Sequence, residues 1–138
     1  MSRSIKAGVL IFGIVEFLFG TITFIAVTLS LVRGASAKPL EVAVFVLATA
    51  CISAGLGIGI LRRNLQAYHL LLFFSYVIIL SKILIFAKII TLSGALETAI
   101  PASLKNIISI VYHALLVVYF TSPPVKGYFG ERRKGVII

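Results

Sequence analysis

Four long stretches of this chain carry almost no charge and show no alternation of apolar and polar positions. They run from Ala7 to Val32, Leu40 to Leu61, about Ala67 to Ile90, and about Pro101 to Phe120. A hydrocarbon layer of about 30 Å needs about 20 apolar residues in a helix, so each stretch is long enough to span one. Helix is preferred to strand because the runs are long and continuous, without the period of two that a half-buried strand imposes. The links are short. Arg33 to Pro39 holds Gly34 and Pro39, Arg62-Arg63-Asn64 makes a tight turn, and Thr91 to Ile100 holds Gly94. Short links make sequential helices antiparallel neighbours, so the pattern predicts an all-α, four-helix bundle of up-down-up-down topology over residues 1–122. Pro101 suits the first turn of the fourth helix, where a missing N–H costs nothing. Pro123-Pro124 should end that helix and begin a basic cytoplasmic juxtamembrane tail, residues 123–138.

Composition sharpens this reading. Of the 138 residues, 60% are hydrophobic and 12% charged, and the mean hydropathy is +1.15. A soluble domain covers its surface with charge at roughly a quarter of positions, so this surface is expected to face lipid. The net charge of +9 does not point to nucleic acid, because the basic residues gather at the ends of the apolar runs. Arg3, Lys6, Arg62, Arg63, Lys126, Arg132, Arg133 and Lys134 fall on one side. Arg33, Lys38, Lys88 and Lys105 fall on the other. The asymmetry places both termini inside, in a cell membrane, the inner membrane in a prokaryote. Arg3 and Lys6 before an apolar run, with Ala35-Ser36-Ala37 beyond it, resemble a signal peptide, but the run is about twice the usual secretory core of roughly 7–15 residues. It is taken as a retained first helix. In the tail, Tyr128 and Phe129 are expected to insert at the inner interface while Lys126, Arg132, Arg133 and Lys134 meet anionic headgroups.

Few residues could carry chemistry. The one cysteine, Cys51, excludes an intrachain disulfide. Cys51, Gly55 and Gly59, with Ala48, form a small-residue stripe on the second helix, read first as intramolecular packing and alternatively as a dimerisation face. Gly55-Leu56-Gly57-Ile58-Gly59 lacks the preceding strand and the Lys-Ser/Thr of a phosphate loop. Glu16 lies roughly 13 Å along the first helix, near the middle of a bilayer. It shares a face with Gly13, Gly20 and Thr23, so it is expected to face protein. The same rise puts His113 within a comparable layer, together with Cys51 and Tyr76, with Lys82 nearer the outer boundary. These residues could form a structural polar layer, Glu16 bonded to His113 or Tyr76, or a proton or substrate site. A metal site of Glu16, Cys51 and His113 would need a convergence that the sequence does not supply, and no cofactor or metal is expected. His69 beside Tyr68 reads as interfacial. No activated serine, paired acids or phosphate loop marks an enzyme.

The string Gly57-Ile58-Gly59-Ile60-Leu61-Arg62-Arg63-Asn64-Leu65-Gln66-Ala67-Tyr68, with Tyr119-Phe120 and Val125-Lys126-Gly127-Tyr128-Phe129, resembles small uncharacterised prokaryotic four-helix membrane proteins. That resemblance implies a membrane location and no activity. Glu16 in the first helix also invites comparison with small multidrug resistance transporters, which bind protons and cationic drugs at such a carboxylate. The tryptophan of that family is missing here. The expectation is therefore an accessory or scaffolding component of a membrane assembly, or a homo-oligomer. The alternative is a proton-coupled transporter of a small cationic or amphipathic substrate using Glu16.

Overall fold

In a computed structural model, residues 3–34, 39–89 and 101–134 are described. Among them every regular element is a helix: α1 Arg3–Val32, α2 Leu40–Leu61, α3 Leu65–Phe86, α4 Ala102–Thr121 and α5 Pro123–Lys134. The first four are long and apolar enough to cross a membrane. The whole link at Thr91 to Ile100 and part of that at Arg33 to Pro39 lie outside the described residues.

The helix ends follow backbone hydrogen-bonding rules. At the end of α2, Arg63 N donates to Ile60 O at 2.9 Å and Asn64 N donates to Gly59 O at 2.8 Å. This is the Schellman pattern, which satisfies carbonyls that the helix leaves open. It requires a left-handed residue, and Arg63 fills that place with φ 56°. A side chain there costs about 1 kcal/mol, so something must hold it. Asn64 then starts α3 by accepting from Gln66 N and Ala67 N, the usual work of an N-cap. The same pattern closes α3 at Lys88, φ 56°, so this helix stops at Phe86 rather than running on to Ile90.

α1 and α2 pack through their backbones. A Cβ built on Gly20 would lie 2.4 Å from Ala54 N and 2.6 Å from Ala50 O; one on Gly57 would lie 2.5 Å from Phe17 N. Only glycine permits this approach, and close approach is what gives apolar helices their dispersion contacts. Gly13 meets Leu61 and Gly57, Gly20 meets Ala50 and Ala54, and Val27 clusters with Ala43 and Val46. Rising numbers on α1 meet falling numbers on α2, so the pair is antiparallel. α3 and α4 also pair antiparallel, Tyr68 beside Phe120 and Lys82 beside Asn106.

The two hairpins share a core only at the end that holds the Arg62–Asn64 turn. Val9, Leu56, Ile60, Leu71, Leu116 and Phe120 are buried there together with Val125, Tyr128 and Phe129. The buried residues of α3 stop at Ser75, and the first on α4 is Leu116. Beyond that level the far halves of the hairpins have no buried residue in common.

The segment after Pro123-Pro124 departs from expectation. It is helical, because prolines at the start of a helix sacrifice N–H groups that had no partner anyway. Ser122, extended before Pro123 with ψ 141°, makes the break between α4 and α5, as a residue before proline favours. Tyr128 and Phe129 do not insert at an interface: they are 8% and 1% exposed. Phe129 stacks on Tyr68 at 4.9 Å between ring centroids. Arg63 lies 3.9 Å over the ring of Tyr128 and donates from Nη2 to Tyr128 O at 2.8 Å. These two contacts hold the left-handed Arg63 and clamp α5 to the turn. Removal of the Phe129 ring should cost about 3–5 kcal/mol, as for buried aromatics elsewhere, read from unfolding of the purified protein in mixed micelles. A change below about 1 kcal/mol would mean that α5 is not part of the core.

Candidate functional site

Glu16 lies on α1 between Gly13 and Gly20, on the face that touches α2, and it is 6% exposed. Backbone contact on either side brings α2 so near that the short side chain of Ser53 reaches it. Ser53 Oγ donates to Glu16 Oε2 at 2.6 Å and lies 3.3 Å from the backbone oxygen of Glu16. One hydroxyl hydrogen faces two acceptors, and the shorter contact takes it. The length is that of a charge-assisted or strong O–H···O bond.

The third member of the site comes from α4. The ring of Tyr112 lies 5.9 Å from that of Phe12 and 6.0 Å from that of Phe19. Those two residues stand one helical turn to either side of Glu16, so Tyr112 lies across the carboxyl. Its hydroxyl is buried beside the Glu16 carboxyl, near enough for a side-chain hydrogen bond between them, although the contact is too loose to count as a closed bond.

The other expected members of this layer lie elsewhere. His113 Nδ1 is 2.7 Å from Ser109 O and 3.4 Å from Ser109 Oγ, so the imidazole is bonded back into its own helix. Tyr76 is 54% exposed on the outer flank of α3. Lys82 donates to Asn106 Oδ1 at 3.0 Å, across the α3–α4 hairpin. Cys51 is exposed on a face of α2 away from Glu16. Among the described residues, no three of His, Cys, Asp and Glu converge as a metal site would need. His69 is exposed, its ring edge-on to Tyr68.

The small residues divide in an unexpected way. Gly13 and Gly20 pack within the chain. Of the α2 stripe, only Gly59 does, with its Cβ position 2.4 Å from Ala67 Cβ. Gly55 has nothing within 4 Å, and Ala48 and Cys51 are exposed, so intramolecular packing does not explain that part of the stripe. A different set, Ala50, Ser53, Ala54 and Gly57, faces α1. Its spacing of three and four is as regular as that of the stripe chosen from the sequence. Ser53 was the polar signal on it. Lys126 is exposed near the start of α5; the side chains of Arg132, Arg133 and Lys134 are not among those described.

No protein-family model matches this chain, and comparison with curated proteins and with solved structures finds no match. The function is therefore argued from the geometry.

Two substitutions separate the parts of the site. Tyr112→Phe removes a hydroxyl held only loosely by Glu16 and should change stability by less than about 1 kcal/mol. Glu16→Gln keeps an acceptor for Ser53 and should be tolerated, whereas Glu16→Leu should lower stability by about 1–2 kcal/mol. Thermal unfolding in detergent checks all three. A larger loss in Tyr112→Phe would mean that the hydroxyl closes a tight bond after all.

Proposed function

We propose that this chain is a small non-enzymatic polytopic membrane protein that works by assembling with another membrane protein or with a second copy of itself. The observation that carries the reading is the second small-residue face of α2. Ala48, Cys51 and Gly55 are exposed, and a Cβ on Gly55 would meet nothing within 4 Å, although α2 has already used one such face to bring α1 into backbone contact. In lipid, where apolar surface gains nothing from being hidden, small residues are the feature that favours a close helix partner. The polar Glu16–Ser53 contact fits a structural role, since it ties α1 to α2 at one register.

The expected orientation has both termini and the Arg62–Asn64 turn on the cytoplasmic side. Arg3, Lys6, Arg62, Arg63 and Lys126 support it, all at one end of the helices, against Arg33, Lys88 and Lys105 at the other. The basic end of α5 fits the anionic headgroups of the inner leaflet.

Gly55 offers a clean test, because a side chain placed there meets no atom of the chain. Gly55→Leu should leave folding intact and break the assembly. Wild-type protein extracted in mild detergent should carry a stoichiometric partner or a second copy, and Gly55→Leu should elute alone. If the second copy is the partner, oxidation in native membranes should join two chains at Cys51. Wild-type protein that elutes as a bare monomer and forms no Cys51 dimer would overturn the proposal. Orientation is checked by labelling a cysteine at position 36 in a Cys51→Ala background; labelling from outside is expected.

A second reading, proton-coupled transport of a small cationic or amphipathic substrate, is favoured by one observation. The Tyr112 hydroxyl lies beside the buried Glu16 carboxyl without closing a tight bond to it, which leaves room in the bonding of the site for a proton or a cation to be exchanged. On that reading, pH-linked uptake into proteoliposomes would disappear in Glu16→Gln although the protein folds normally. Its absence in wild type would remove transport of the substrates tried.

A further inference from the structure

Lys82 stands four residues before the end of α3, about 6 Å of helix rise from its last residue. It is one heptad beyond Ser75, on the face that also carries Tyr68 and Leu71 and that is turned toward the rest of the protein. The side chain is partly buried, and Nζ reaches Asn106 Oδ1 on α4. That acceptor is neutral. Of the two carboxylates whose side chains are described, Glu16 is bonded to Ser53 and Glu41 is exposed on the first turn of α2. The described residues thus give Lys82 no counter-charge. The flank around it is apolar and only partly covered: Ile78 and Ile79 are half-buried, α3 has no fully buried residue beyond Ser75, and at this end Val27, Ala43 and Val46 pack on their own hairpin. An ammonium on such a surface favours a nearby anion far more than it would in water.

We propose that the far end of the α3–α4 hairpin binds one anionic phospholipid. Its phosphodiester pairs with the Lys82 ammonium, which Asn106 holds in place, and an acyl chain lies along the apolar flank formed by Ile78 and Ile79. A phosphate group is the chemistry that Lys82 recognises, and the apolar flank selects a lipid rather than a free ion as its source. This site is at the opposite end of the helices from the basic residues of α5. It rests on the chain's spanning a bilayer and not on what covers α2.

The test is the number of phosphatidylglycerol molecules retained per protein, counted by native mass spectrometry after reconstitution in mixed phosphatidylglycerol and phosphatidylcholine nanodiscs. Lys82→Gln should retain one fewer than wild type, and Lys82→Arg should retain the wild-type number. Lys126→Gln serves as a control for headgroups bound at the other end, and its loss should add to that of Lys82→Gln. Inorganic phosphate at millimolar concentration should not displace the lipid. Equal counts in wild type and Lys82→Gln would overturn the proposal, as would equal retention of phosphatidylcholine at this site or displacement by inorganic phosphate. Matching unfolding temperatures of the wild-type, Gln and Arg proteins tie any loss to the charge. A Gln protein that does not fold leaves the comparison to Lys82→Met, for which the same loss of one lipid is expected.

Discussion

The direct contact of the α1 and α2 backbones governs the rest of the structure. Gly20 and Gly57 meet only backbone of the facing helix, Gly13 receives the Leu61 side chain, and the interval fixes which α2 residue stands opposite each α1 residue. With that register set, Ser53 has no choice but to face Glu16, and a hydroxyl on a single carbon is long enough to reach it. A larger residue at Gly20 or Gly57, where a Cβ would run into backbone, would move the helices apart by more than the slack in a 2.6 Å hydrogen bond. The carboxyl would then lose its partner as well as its packing. Backbone proximity and polar pairing are therefore one device in this hairpin, with dispersion supplying the attraction and the hydrogen bond selecting the register.

The second organising feature is the difference between the two ends. At the turn end, five helices contribute to one core rich in aromatic rings, with Phe12, Tyr68, Tyr119, Phe120 and Phe129 in mutual contact. Tyr68 donates to Phe120 O at 2.7 Å, satisfying a carbonyl left open at the end of α4, and Tyr119 donates to Ile5 O at 2.8 Å, tying α4 to the first turn of α1. Arg63 extends this core to α5. At the far end the hairpins go separate ways. Tyr112 marks the level at which the shared core ends, and Glu16 lies just beneath it. The far halves and the outer face of α2 are therefore the surfaces that the chain itself covers least.

Much of the fold was legible in the sequence because a membrane-length apolar run admits few alternatives. The bounds of α2 are the expected ones, and the Arg62–Asn64 turn falls where three polar residues interrupt the hydropathy. The tail was not legible. Its helix starts at two prolines that also stop α4, and the burial of Tyr128 depends on Arg63, 65 residues away. Nor could spacing decide between the two small-residue faces of α2: both have the helical period, and the choice is made by where α1 presents its own glycines. Glu16 is buried against α2, on the face that its spacing from Gly13 and Gly20 marks in the sequence. Its partners were assigned by depth alone, which places a residue along a helix axis but does not fix its angle around it. His113 and Tyr76 have suitable heights and unsuitable directions, whereas Ser53 and Tyr112 have both.

A double-mutant cycle between Glu16 and Ser53 tests the register account most directly, since it isolates the pair from the packing around it. Unfolding free energies would be measured in mixed micelles for wild type, Glu16→Leu, Ser53→Ala and the double variant. A bond between apolar helices predicts a coupling of about 0.6–2 kcal/mol. Additive effects, with coupling indistinguishable from zero, would show that the two side chains do not interact and that the α1–α2 register described here is wrong.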